Sequence, residues 1–212
     1  MHKVFRIPLI LYFAALPVFC RSEEVILAND SQALLPIRIA DDASERLVSV
    51  ASEIQLLLSR MSGARLQLER DLDGPGLRLL VQTPPNMTLF ERETYSIRST
   101  GQAITLTGNT DTAVEHAAWD LMHRLGYRQF FPGKTWEIVP QLNAIRLDIN
   151  CEESPDFYFR RIWYGYGTWD YNSQDYRDWC RRNRMGGSAE IHSGHAYGQI
   201  IRARQSDFDQ HP

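Results

Sequence analysis

Apolar residues recur at helical spacing in two stretches of the chain, and around them they alternate or run in short bursts. Leu47, Val50, Ala51, Ile54, Leu57, Leu58 and Met61 form one stripe, which Gly63 is placed to end and Asp41 or Asp42 to cap. A second stripe comprises Val114, Ala117, Ala118, Leu121, Met122 and Leu125. It starts at a Thr110 or Asp111 cap and stops at Gly126. Strands are predicted at 33–40, 65–69, 77–82, 93–98, 103–107, 127–131, 136–139 and 144–149. The Gly101-Gln102 turn makes a hairpin of 93–98 and 103–107. Two helices with one-sided stripes need one sheet face to cover. Residues 24–150 therefore read as a two-layer α/β domain.

Beyond Glu153 the pattern changes. Residues 157–164 read as a buried, aromatic strand, 175–185 as a helix stopped by Gly186-Gly187, and 189–192 as a second strand. Strand, helix, strand is the order in which a (β/α) barrel opens, and a barrel takes about 250 residues, so 151–212 holds at most its first quarter. The expected fold class is α/β: an α+β two-layer sandwich, with a mixed sheet and two helices on one face. The first β-α-β elements of an incomplete TIM-type barrel follow it.

Composition adds compartment. The 212 residues are 43% hydrophobic and 23% charged with a net charge of −3, which supplies a core and favours neither nucleic acid nor an anionic membrane. His2, Lys3 and Arg6 precede an uncharged apolar run at 7–20, shorter than the ~20 residues a membrane helix needs, so 1–22 reads as a secretory signal peptide. A secreted or periplasmic protein with no integral span after cleavage is expected. Lipoprotein anchoring at Cys20 is disfavoured because Phe19 stands where a small residue is wanted. Cys151 and Cys180 remain, either paired or as two buried thiols. Asn-x-Ser/Thr triplets at Asn29 and Asn86 matter only in a source that glycosylates.

Three stretches carry a resemblance: SRMSGARLQLERD at 59–71, ITLTGNTDTAVEHAAWDLMHRLGYRQFFPG at 104–133, and WEIVP at 136–140. On them the first domain resembles the N-terminal domain of bacterial alpha-glucuronidases and the non-catalytic domain before the barrel of beta-hexosaminidases. ESPDFYFRRIWYG and WCRRNRMGG are similar to the first barrel strand and helix of large secreted proteins carrying this domain. The resemblance implies hydrolysis of glycosidic bonds in polysaccharide, and so carbohydrate as the partner. It also implies that the two catalytic carboxylates of such chemistry come from later barrel strands, absent from this chain. No catalytic residue is assigned.

Substrate-binding candidates are Arg160, Trp163, Tyr164, His192 and His195. Arg160 stands five residues after Pro155, where the hexosaminidase-like pattern places a sugar-binding arginine, although that pattern continues with Gly where this chain has Arg161. A guanidinium suits hydroxyls or a uronic carboxylate; the alternative is an inter-domain salt bridge. Trp163 and Tyr164, with Tyr166, offer rings for stacking on sugar or for packing. His192 and His195 can bind substrate or make structural hydrogen bonds, and their spacing admits a metal pair that lacks an obvious third ligand. Asp170, Asp175 and Asp178 read as caps or solvated positions. No cofactor or metal is called. The alternatives to a glycoside hydrolase portion are a non-catalytic carbohydrate-binding or scaffold module and, more weakly, a metal-dependent hydrolase using the two histidines.

Overall fold

The computed structural model describes residues 23–162, 170–186 and 196–210. The signal segment 1–22 and the strand expected at 189–192 lie outside the described residues. The first helix, α1, spans Glu45–Ser62 and the second, α2, spans Asp111–Arg124. Both follow the predicted stripes, because each stripe matches the apolar side of a sheet. That sheet has six strands: β3 (Ile37–Ile39), β4 (Leu68–Glu69), β5 (Gly76–Val81), β6 (Tyr95–Thr100), β7 (Ala103–Gly108) and β11 (Asn150–Glu153), in the order β11-β6-β7-β5-β3-β4. Strands β3, β4, β5 and β7 run parallel, while β6 and β11 pair antiparallel. Period-two alternation puts Ile37, Leu77, Ile104 and Ile97 on the helix side, all fully buried. Arg38, Arg78, Thr105 and Arg98 stand in register on the other side.

A second sheet, β10-β1-β2, joins β1 (Val25–Asn29), β2 (Gln32–Ala33) and β10 (Ala144–Leu147), and its Leu27, Ala28 and Ile145 enter the same core. A two-stranded ribbon pairs β8 (Arg128–Gln129) with β9 (Glu137–Ile138). The strand expected at 33–40 is two strands, interrupted at Pro36, which has no amide to give a ladder. The carbonyl of Pro36 accepts from Leu77. Ser44, not Asp41 or Asp42, caps α1: its Oγ accepts from the Leu47 amide at 3.2 Å. The two aspartates are taken up in the preceding turn. Ser44 also donates to the Asp111 carboxylate at 2.6 Å, tying together the N-termini of both helices. Gly63 ends α1 at φ 74°, the left-handed value expected of it.

Downstream, α3 (Asp170–Arg182) covers the predicted helix and starts five residues earlier, and it packs on α2. Two short helices follow, α4 (Ala196–Ala203) and α5 (Gln205–Gln210). The strand expected at 157–164 is not formed in its described part. Residues 157–162 make a single isolated antiparallel bridge, Arg160 to Gly186, because no neighbouring strand supplies a ladder for their amides. The described residues thus form a mixed α/β fold in which α1 and α2 lie between the sheet and α3. No helix among them is long and apolar enough to cross a membrane.

Candidate functional site

The chemistry-bearing side chains gather where α3 and the segment after Glu153 meet the helix layer. Helix α2 is buried from Ala113 to Met122, including Glu115, His116 and Asp120, because its second side is covered too. Four arginines come from the covering segment: Arg160, Arg181, Arg182 and Arg184. Arg160 pairs with Glu93, which follows the turn into β6, and donates to the carbonyls of Phe157 at 2.7 Å and Arg184 at 3.3 Å. Arg181 bridges Glu115 on α2 and Glu53 on α1, the latter at 3.1 Å, and also meets Asp178 at 3.2 Å. Arg182 meets Glu53 at 2.6 Å and Glu137 of β9 at 3.8 Å, with its guanidinium carbon 5.6 Å above the Trp119 ring. Arg184 lies 3.4 Å from Asp120 and donates to the Tyr95 hydroxyl at 2.7 Å.

The network perturbs its titratable members. Burial, aided by Arg160, Arg184 and Arg46, lowers His116 to about 3, although Glu93 stands 3.4 Å from its Nδ1. Three cations and a dry site outweigh one carboxylate that is itself shared with Arg160, so His116 is neutral at pH 7. Burial, then Arg184 and Arg128, lowers His123 to about 4. Tyr95 is pushed up to about 12, chiefly by burial. For Arg181 burial works against the charge, but Glu115 and Glu53 prevail and its pKa rises. Each interface carboxylate faces a guanidinium. That arrangement locks two segments together and leaves no neutral acid beside a free base for proton transfer.

Of the expected site residues, Arg160 lies inside this contact, held by Glu93 and two carbonyls. Trp163, Tyr164, Tyr166, His192 and His195 lie outside the described residues. Asp178 accepts from Arg181 and from Gln174, and Asp170 opens α3. Cys151 and Cys180 are free thiols, one on β11 and the other on α3. No group of three His, Cys, Asp or Glu among the described residues is arranged to hold a metal ion. The reading from sequence missed Glu53, Glu93, Glu115, His116 and Asp120. The signal that could have found them is the Arg181-Arg182-Asn183-Arg184 run, which carries more positive charge than Asp178 can balance within its own helix.

No protein family matches the chain, and no curated protein is similar to it. Among solved structures, the chain is similar to the beta-N-acetylhexosaminidase of Streptomyces coelicolor A3(2), with 18% identity, a TM-score of 0.47, and coverage of 66% of this chain and 25% of that one. The N-acetyl-beta-hexosaminidase of Streptomyces plicatus gives 19% identity and a TM-score of 0.47 over the same shares. The exo beta-N-acetylglucosaminidase of Vibrio harveyi, solved in complex with N-acetylglucosamine, gives 12%, 0.39, and 66% of this chain against 19% of its own. The chain thus spans a quarter or less of the length of these enzymes. With TM-scores below 0.5, the likeness carries no assignment of activity.

Proposed function

We propose that this chain is the N-terminal portion of a secreted or periplasmic glycoside hydrolase-like protein acting on polysaccharide, of the alpha-glucuronidase type. In this reading residues 24–150 brace the opening of a catalytic (β/α) barrel, and the acids that cleave the bond lie beyond Pro212. The sequence resemblance over 59–71, 104–133 and 136–140 supports it. The observation that carries it is the arginine-lined docking of α3 and of the segment after Glu153 onto α1 and α2, with no linker between. A unit built to support a second domain needs a charged, buried seam of this kind on its otherwise solvent-facing helices.

The test compares two proteins. The 212-residue chain should leave aryl glycosides intact, whereas the product of the uninterrupted source reading frame should release glucuronic acid from glucuronoxylan fragments. Turnover by the short chain that disappears on Asp175→Asn or Asp178→Asn, or an inactive longer product, would overturn the proposal. One observation favours the second reading, a non-catalytic support or binding module: the guanidinium of Arg160 is engaged by Glu93 and two backbone carbonyls.

A further inference from the structure

The β8–β9 ribbon presents an aromatic face that nothing in the described fold covers. Its register pairs Arg128 with Ile138 and Gln129 with Glu137, and the Phe130 amide donates to the Trp136 carbonyl at 3.1 Å. Alternation therefore sends Gln129 and Glu137 to one side and Arg128, Phe130, Trp136 and Ile138 to the other. The exposures agree: Gln129 is 4% exposed, against 65% for Phe130, 53% for Trp136 and 50% for Ile138.

The ribbon is too short to hold its own shape, yet its back is anchored. The Gln129 carbonyl accepts from Trp179 Nε1 at 3.0 Å and Asn183 Nδ2 at 3.1 Å. Glu137 accepts from Tyr127 at 3.1 Å and from Arg60 at 2.9 Å. The Trp136 ring is itself set edge-to-face on Phe131, centroids 5.9 Å apart at 67°. Two large rings held rigidly in solvent mark an interaction site. Four residues cannot supply the ~800 Å² per partner that a stable protein interface uses, whereas two neighbouring rings match the apolar C–H faces of consecutive pyranoses. The rim is cationic: Arg128 at one end and the exposed Lys134 at the turn, with the ribbon's only carboxylate, Glu137, on the back side.

We propose that Phe130 and Trp136 form a stacking platform for a uronate-bearing polysaccharide chain, with Lys134 and Arg128 facing its carboxylates. The inference rests on the reading above for its ligand class, and it adds a non-catalytic subsite on the first domain. The test is electrophoresis of the full 212-residue chain through native gels containing soluble glucuronoxylan or the same polysaccharide with its carboxyls reduced. Retardation by glucuronoxylan is expected, weaker in the reduced gel. Phe130→Ala and Trp136→Ala should each weaken it by at least about tenfold, which is about 1.4 kcal/mol, while Phe157→Ala, an exposed aromatic elsewhere, should not. Retardation that survives both ribbon substitutions would overturn this proposal and leave the polysaccharide reading standing. Absence of retardation of the parent chain would remove both. Self-association of the parent in sedimentation runs, abolished by Trp136→Ala, would make the face a contact between copies and refute the sugar platform.

Discussion

Trp179→Ala should release α3 while leaving the α/β unit folded. Trp179 is 8% exposed and touches Phe131 and Tyr176, with ring centroids 6.3 and 5.9 Å away. An aromatic of this kind covers about 150–250 Å², worth about 4–6 kcal/mol at about 25 cal/mol per Å², an upper figure because the reference chain is extended. Its Nε1–H bond to the Gln129 carbonyl adds about 1 kcal/mol, but that carbonyl keeps Asn183 as a donor and is not orphaned. The cost therefore falls near the ~3–5 kcal/mol usual for truncating a buried large aromatic. At about 1.4 kcal/mol per tenfold, the opening of α3 from α2 becomes more frequent by a factor of about a hundred or more. Amide hydrogen exchange on the full chain reads this directly. Protection in α3 should fall by that factor, while β5, β7 and α1 keep theirs, since local opening need not involve the whole core. Unchanged α3 protection would refute the idea that Trp179 pins the helix. An equal fall in β5 and β7 would refute the separability of the two parts.

Gly108→Ala should destabilise the α/β unit by about 1–3 kcal/mol through overpacking. A Cβ there would press on the Val114 amide and lie 2.7 Å from the Ala113 carbonyl carbon, both backbone atoms of α2 that cannot swing aside. A thermal midpoint within a degree of the parent would contradict this. His116 makes stability depend on pH. Its folded pKa of about 3 lies below the unfolded 6.5, so the unfolded state binds more protons between those values. The contribution is intact above about pH 6.5 and is lost as pH falls toward 3. Urea midpoints should decline from pH 7 to pH 5, and His116→Gln should flatten that slope. An identical slope in the variant would exclude His116 as its source.

The strongest local signals survived into the structure. The α1 stripe, the Gly63 stop, the Thr110 cap and the β6–β7 hairpin each depend on neighbours a few residues away. Their physics is the same in the sequence as in the fold. β1 and β11 escaped notice because a strand exists only with its partners: β1 is made by β10, more than a hundred residues on, and β11 by β6. Pro36 and the Asp41-Asp42 turn shifted boundaries for the same reason, since which amide finds which carbonyl is settled by the sheet and the turn.

The site was the least legible part. By its own pattern the chain determined that α1 and α2 each have an apolar side and that a sheet lies against it. It also determined that the segment after Glu153 carries an excess of arginines. Only the tertiary structure decided that α2 is buried on its polar side as well. There Glu115, His116 and Asp120, which read as solvent positions, become the acceptors for Arg181 and Arg184 and the seat of a neutral histidine. Periodicity reports one covered side of a helix. A second covering layer, held by charge rather than by apolar surface, leaves no period in the sequence, because an ion pair requires only that two distant residues meet.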